Sequence, residues 1–259
     1  MWKKWSAFAL LAALVLAPLS ACTGPQPQLL CTTPTCPIAH WPMNEGTGAT
    51  QVQDVVASPI FNHGFAWPGV VQAWPGFNGP TSVTGQVSGA LYFPGNGDTK
   101  VMVPSTSDLN LGYGSLYLEA YVAPVQCGAN AYYPILDKWD ATGQNGYTFY
   151  LEGVGPGQVR AALRLGGVNF TSTNFAANFQ PPATGTWTKV AVKVDGPNGV
   201  FYVNGSPAGT FTAPSGSTSN TLPLWLGALH TPPSGLSLHC AIGLDEVKIG
   251  KINPTFSTQ

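Results

Sequence analysis

The fold is decided by the stretch Trp187-Thr188-Lys189-Val190-Ala191-Val192-Lys193-Val194, followed by residues 195–199 and by Val200-Phe201-Tyr202-Val203. Valines alternate with lysine or alanine in the first run, which is the two-residue period of a strand with two unlike faces. Asp, Gly, Pro and Asn between the runs favour a turn, so the stretch predicts an antiparallel hairpin with a five-residue turn. The next turn dipeptide, Asn204-Gly205, predicts a third antiparallel strand near residues 207–211.

The rest of the chain repeats this pattern of short runs between Gly, Pro or Asn turns. Within residues 115–123, Leu116, Leu118, Ala120 and Val122 share one face and are predicted to form the core side of a strand. No window shows a sustained 3.6-residue apolar period, so the chain is predicted to be an all-β sandwich. The predicted strands are residues 91–93, 100–103, 115–123, 133–139, 146–152, 158–165, 168–175, 187–194, 200–203, 222–226 and 243–249.

Composition excludes several classes of protein. The 259 residues include 31 Gly and 24 Pro, which disfavour helix interiors, and only 8% are charged. A net charge of −1 gives no basic footprint for nucleic acid, and the 44% hydrophobic content excludes disorder of the body.

The first 21 residues are predicted to be an export signal. Lys3 and Lys4 precede an apolar stretch that ends in Leu19-Ser20-Ala21-Cys22, which resembles the lipobox of bacterial lipoproteins. The resemblance implies a lipid on Cys22 and a Pro-rich tether over residues 22–37, with membrane contact only through this anchor. An Asp directly after the lipidated cysteine resembles a signal that retains lipoproteins in the inner membrane. This chain has Thr23 at that position, which favours the outer membrane if the cell has two membranes. The alternative is an ordinary signal peptide cut after Ala21.

The other four cysteines, Cys31, Cys36, Cys127 and Cys240, fit an oxidising compartment. Two disulfides are predicted, in any of three connectivities. Zinc is the less favoured alternative, because only His40 lies near Cys31 and Cys36.

The hairpin segment closely resembles the W-x-x-V-A-V and Y-V-N-G motifs of laminin-G-like jelly rolls. Three further segments fit the same family: His40-Trp41-Pro42-Met43-Asn44-Glu45-Gly46-Thr47-Gly48, Gly89-Ala90-Leu91-Tyr92-Phe93-Pro94-Gly95 and Gly243-Leu244-Asp245-Glu246-Val247-Lys248-Ile249. The resemblance covers residues 38–251, with 252–259 as a tail. It implies a concanavalin A-like jelly-roll sandwich of two antiparallel sheets, a fold shared by lectins, adhesion modules, glycanases and lyases.

The resemblance also implies a disulfide and a metal site. In that fold the strand over residues 116–122 lies beside the strand over residues 244–249, which pairs Cys127 with Cys240 and leaves Cys31 with Cys36. Asp54, the Asn62-His63-Gly64 turn and Asp245 match positions that often bind a structural calcium ion. The alternative is that Asp54 serves a turn and Asp245 forms hydrogen bonds within its strand.

Catalytic motifs of this fold are missing from the sequence. There is no Glu-x-Asp-x-x-Glu run to place two carboxylates on one face, and Tyr147-Thr148-Phe149-Tyr150 lacks the Lys of the lyase motif. The histidines, His40, His63, His230 and His239, show no metal-ligand spacing. A catalytic pair of carboxylates that come from strands far apart in sequence remains an open alternative.

Ligand contacts are predicted from aromatic residues in or beside Gly/Pro-rich loops, because sugar rings stack on aromatic faces. Trp139 is the first choice, followed by Tyr132, Tyr133, Trp67, Trp74 and Trp225. The sequence therefore predicts an exported, surface-anchored lipoprotein with a non-catalytic module that binds a glycan or an extracellular protein. The alternatives are a glycan-cleaving enzyme of the same superfamily and a structural envelope component.

Overall fold

A computed structural model describes residues 35–252 except 57–61, 68, 73–78, 126, 177–186 and 217. The predicted signal, most of the tether and the tail lie outside these residues. So do three residues with predicted roles, Cys22, Cys31 and Trp74.

The described residues form eighteen strands and no helix, which confirms the predicted all-β class. The first nine strands are β1 (Thr35–Trp41), β2 (Gln51–Val52), β3 (Gly64–Trp67), β4 (Thr81–Thr84), β5 (Gly89–Phe93), β6 (Lys100–Val103), β7 (Ser115–Pro124), β8 (Ala131–Asp140) and β9 (Asn145–Gly155). The second nine are β10 (Gln158–Leu165), β11 (Val168–Thr171), β12 (Phe175–Ala176), β13 (Thr188–Asp195), β14 (Asn198–Val203), β15 (Ser206–Thr212), β16 (Leu224–Leu226), β17 (Leu238–His239) and β18 (Ile242–Ile252).

The strands form two sheets. Sheet A has the order β15-β14-β13-β7-β18-β5-β4, and β1 also pairs with β18. Sheet B has the order β11-β10-β9-β8-β16-β6-β3-β2, with β12 on β10 and β17 on β8. Neighbouring strands are antiparallel except for the short β17–β8 pair, as the jelly-roll prediction requires.

The core lies between the two sheets. Leu116, Leu118, Ala120 and Val122 on β7 are fully buried, as are the three valines of β13. Alternate residues of both strands point away from the core, so sheet A also has an outer face on which a site can be built.

Several boundaries differ from the sequence prediction: the predicted strand over residues 168–175 is divided into β11 and β12, and two further differences concern a turn and the start of the domain. The β13–β14 hairpin turns through Gly196 and Pro197 alone, because Asp195 already pairs with Asn198. The predicted five-residue turn is therefore wrong, whereas the third strand is confirmed as β15. The first strand begins at Thr35 rather than at residue 38, because Cys36 and Pro37 continue the pairing of β1 with β18.

The predicted disulfide between Cys127 and Cys240 is present. Pro124 at the end of β7 pairs with Ile242 at the start of β18, so the two cysteines beyond these strand ends meet. Cys31 lies outside the described residues, so the second bond, to Cys36, stays a prediction.

Candidate functional site

An exposed aromatic surface lies on the outer face of sheet B. In β3 the small residues Gly64 and Ala66 point inward, while Phe65 and Trp67 point outward and are 44% and 48% exposed. Gly64 must be small, since a Cβ atom there would lie 2.3 Å from Cγ1 of Val101. The close approach of β3 to the core thus leaves two neighbouring rings at the surface.

The register of the sheet extends this surface across two more strands. Phe65 lies opposite Met102, and Met102 lies opposite Trp225. Trp67 lies opposite Lys100. We call these five residues the aromatic strip.

Trp225 is held in place by two cationic or polar neighbours. The imidazole ring of His230 stacks on it with 3.7 Å between centroids, and the Nζ atom of Lys100 lies 4.2 Å from the indole centroid. Burial lowers the pKa of Lys100, and nearby Asp98 partly opposes that shift.

A fully buried carboxylate, Asp137, anchors His230. Its Oδ2 atom accepts hydrogen bonds from the backbone N of His230 at 2.6 Å and contacts His230 Nδ1 at 2.9 Å. Its Oδ1 atom accepts from Thr148 and lies 3.9 Å from the guanidinium of Arg164. Arg164 also donates a hydrogen bond to the backbone carbonyl of Thr231. One charged cluster therefore fixes the loop that contains His230 and Thr231 to the sheet beside Trp225. The sequence reasoning missed this cluster, because nothing in the spacing joins residues 137 and 230.

Three of the six predicted ligand-binding aromatics are buried, which corrects the prediction. Trp139 is 4%, Tyr132 6% and Tyr133 1% exposed. All three lie in β8, a strand that the prediction ended at residue 139 and flanked with exposed loops. Tyr133 belongs to the core between the sheets, whereas the ring of Tyr132 stacks on His239 with 5.1 Å between centroids.

Trp139, the first choice for a ligand contact, is buried because of its place in β8. β8 continues to Asp140, and Trp139 pairs with Gly146 on β9. The guanidinium of Arg164 lies 4.8 Å from the ring centroid. The indole therefore packs against the protein itself. Trp67 and Trp225 remain from the predicted set, and Phe65, Lys100 and Met102 join them.

Two of the predicted calcium ligands, Asp54 and Asn62, accept hydrogen bonds within the protein. The Asp54 carboxylate accepts backbone hydrogen bonds from His40, Val56 and Asn62, each at 3.0 Å. The side-chain oxygen of Asn62 accepts from Thr106 at 2.6 Å, and its backbone oxygen accepts from Trp41 at 2.7 Å. The oxygens of both residues thus accept hydrogen bonds from N–H or O–H donors, as the alternative of a turn residue at Asp54 expects.

Asp245 contacts a different turn. Its Oδ2 atom accepts a hydrogen bond from the backbone N of Val87 at 2.8 Å, and burial raises its pKa to about 6. In the described part of the chain, no group of three or more His, Cys, Asp or Glu side chains is placed to hold a metal ion. Calcium binding itself stays a prediction.

The two antiparallel sheets form a sandwich with exposed aromatic rings on one outer face. A laminin G family model, described as the concanavalin A-like lectin/glucanases superfamily, matches residues 95–251. The chain belongs to this family. Comparison with curated proteins finds no match.

Solved structures agree with this fold. The binding domain of Paraclostridial Mosquitocidal Protein 1 is similar with a TM-score of 0.56 and 12% identity, over 86% of this chain and 51% of that one. Domain 4 of AbnA, an extracellular GH43 arabinanase from Geobacillus stearothermophilus solved with arabinotriose, gives 0.53 and 15%, over 87% and 98%. Botulinum neurotoxin type C, whose cell entry depends on two ganglioside molecules, gives 0.50 and 16%, over 83% and 47%. The chain spans about half the length of the two toxin chains.

Proposed function

We propose that this protein binds a glycan at the aromatic strip and does not cleave it. The observation that carries the proposal is the pair of exposed rings, Phe65 and Trp67, side by side on one strand. Residues two apart on a strand lie about 7 Å from each other, so the two rings form one continuous apolar platform on which sugar rings can stack.

Polar groups flank this platform where hydroxyl groups of a stacked sugar need partners. Gln51 lies opposite Phe65. The side-chain N–H of Gln53 donates a hydrogen bond to the side-chain oxygen of Gln51 at 2.9 Å. The ammonium group of Lys100 lies on the other side, opposite Trp67. Amide groups both donate and accept hydrogen bonds, as hydroxyls do, which suits a neutral polysaccharide.

Binding domains are found among the similar structures. One is an arabinanase domain in complex with arabinotriose, and others are toxin binding domains. At 12–16% identity they support the fold alone, and the ligand of this chain is inferred from its own residues.

A cosedimentation experiment tests the proposal. The full chain is mixed with insoluble arabinan, xylan, β-glucan and mannan, and the protein left in solution is measured. At least one polysaccharide should deplete it, and Trp67→Ala should abolish the depletion. Leu238→Ala is the matched control, since Leu238 is 46% exposed on the same sheet but lies on β17. Equal depletion of wild type and Trp67→Ala would contradict the proposal.

The setting that we propose is the cell envelope, with a lipid on Cys22, in the outer membrane if the cell has two. Within the described residues there is no helix of the length and apolarity that a membrane span needs. Cys22→Ser should move the protein from the detergent phase to the aqueous phase in a phase-partitioning assay. Unchanged partitioning of this variant would refute lipidation at that residue.

A further inference from the structure

A second groove lies on the outer face of sheet A, the sheet that does not carry the aromatic strip. Its volume is about 250 Å³, and the residues that line it come from β7, β13 and β14 and from Gly205 in the turn after β14. Ala191 forms the floor, because it pairs with Glu119 on one side and with Tyr202 on the other. The small alanine side chain leaves the space that Tyr117, Lys189 and Lys193 border. We call this the sheet A groove.

The polar groups of the groove are organised around one buried carboxylate. Glu119 is 5% exposed and accepts a hydrogen bond from the hydroxyl of Tyr117. The Nζ atoms of Lys189 and Lys248 lie 2.8 Å and 3.3 Å from its oxygens. Burial alone would raise the pKa of Glu119, but the hydrogen bonds from Lys189 and Tyr117 outweigh it and lower the pKa, so the carboxylate stays charged.

Charges on this face are already neutralised in pairs. Lys193 lies 3.3 Å from Asp195, and Lys248 lies 3.3 Å from Glu246 as well as from Glu119. Three lysines therefore face three carboxylates. A charged ligand would gain no net attraction and would have to displace one of these partners.

Paired ammonium and carboxylate groups suit a different ligand chemistry. A hydroxyl group donates and accepts hydrogen bonds at once, so neighbouring hydroxyls on a sugar can bind to both members of an ion pair without separating them. The rings of Tyr117 and Tyr202 supply apolar surface for the C–H groups of the same sugar.

The groove continues beyond its deepest part. A depression of about 220 Å³ shares Lys193 and Tyr202 with it, and a smaller one of about 60 Å³ shares Tyr117. The three depressions cross from β18 over β7 and β13 to β14, a distance of about 14 Å at the usual spacing between strands. A ligand longer than a single ring can therefore lie across the strands.

We propose that the sheet A groove is a second binding site, for a neutral oligosaccharide, with its central sugar over Ala191. Since the aromatic strip lies on the other sheet, one molecule then holds two glycan segments at once, and the affinity for a polymer exceeds that of either site. This proposal does not depend on the aromatic strip.

An NMR titration of the full chain tests the proposal. The probes are arabinotriose, xylotriose, cellotriose, maltotriose and mannotriose, with trigalacturonic acid as the charged comparison. At least one neutral trisaccharide should shift the backbone amides of Ala191, Lys193 and Tyr202. Ala191→Leu, which fills the floor, and Tyr202→Ala should each remove these shifts, whereas Tyr92→Ala, at a half-buried tyrosine elsewhere on sheet A, should keep them.

Three outcomes would overturn the proposal. One is that no neutral trisaccharide shifts these amides, and another is that only trigalacturonic acid does. The third is a dimer in sedimentation that Tyr202→Ala dissociates, because the groove would then be an interface between copies. Trp67→Ala separates the two proposals, since it should abolish cosedimentation and leave the sheet A shifts intact.

Discussion

Asp137→Asn should destabilise the domain strongly, because it removes the charge at the centre of the cluster that supports Trp225. The substitution keeps the shape of the side chain but leaves Arg164, which is 7% exposed, without its carboxylate. Breaking a buried ion pair by removing one partner costs about 3–5 kcal/mol. Asn also turns one acceptor into a donor, which then faces the N–H of His230 or the hydroxyl of Thr148.

Urea and thermal unfolding measure this loss. For a domain of this size, about 3–5 kcal/mol corresponds to a melting temperature lower by roughly 6–20 °C. The control is Asp140→Asn on the same strand, since Asp140 is only partly buried and bonds to the backbone N of Thr142 at 2.9 Å. It should cost less than about 1 kcal/mol.

A double variant tests the reason for the loss. Replacing Arg164 with Met in the Asp137→Asn background removes the uncompensated cation, so part of the stability should return. If Asp137→Asn and Asp140→Asn melt alike, or if the double variant loses the full sum of both single effects, the buried charge cluster is not what holds the 230–231 loop.

Three further predictions concern stability. Replacing Cys127 and Cys240 with Ala removes a disulfide between residues 113 apart in sequence. The free energy of unfolding in urea should fall by about 2–5 kcal/mol, and an unchanged midpoint would contradict this prediction. Burial lowers the pKa of His239 to about 4, so the unfolded chain binds a proton first as the pH falls. The free energy of unfolding should fall by about 2–3 kcal/mol between about pH 6.5 and 4. His239→Phe should reduce this pH dependence in melts across that range, and an unchanged dependence would show that another group titrates. Calcium binding at Asp54, Asn62 and Asp245 stays a prediction: calcium should raise the melting temperature relative to EGTA and Asp245→Ala should remove the rise, whereas equal melts would contradict it.

Sequence was sufficient for the fold class because the longer strands carry their own evidence, whereas β2, β3, β4 and β17 were not predicted. The alternation in β7 and β13 reflects burial of one face, and the turn residues between the strands limit the possible register. The family resemblance supplied the partner of β7, and with it the Cys127–Cys240 bond.

Exposure of single aromatic residues could not be predicted in the same way. Trp139 and Trp67 both point to the outer face of sheet B, yet one is 4% and the other 48% exposed. Arg164, which lies far along the chain, packs on the ring of Trp139 and so contributes to its burial. The alternation Gly64-Phe65-Ala66-Trp67 was a usable signal for the strip, since small inward residues leave the large ones outside.

Recognition without cleavage is tested most directly by measuring binding and reaction products in one sample. The full chain is incubated with each polysaccharide of the cosedimentation panel, and the supernatant is assayed for protein, for reducing ends and for unsaturated sugars. We expect depletion of the protein by at least one polysaccharide and no product above a protein-free control. Product release that stops on mutation of a single acidic residue, such as Glu152→Gln, would show that the domain is an enzyme.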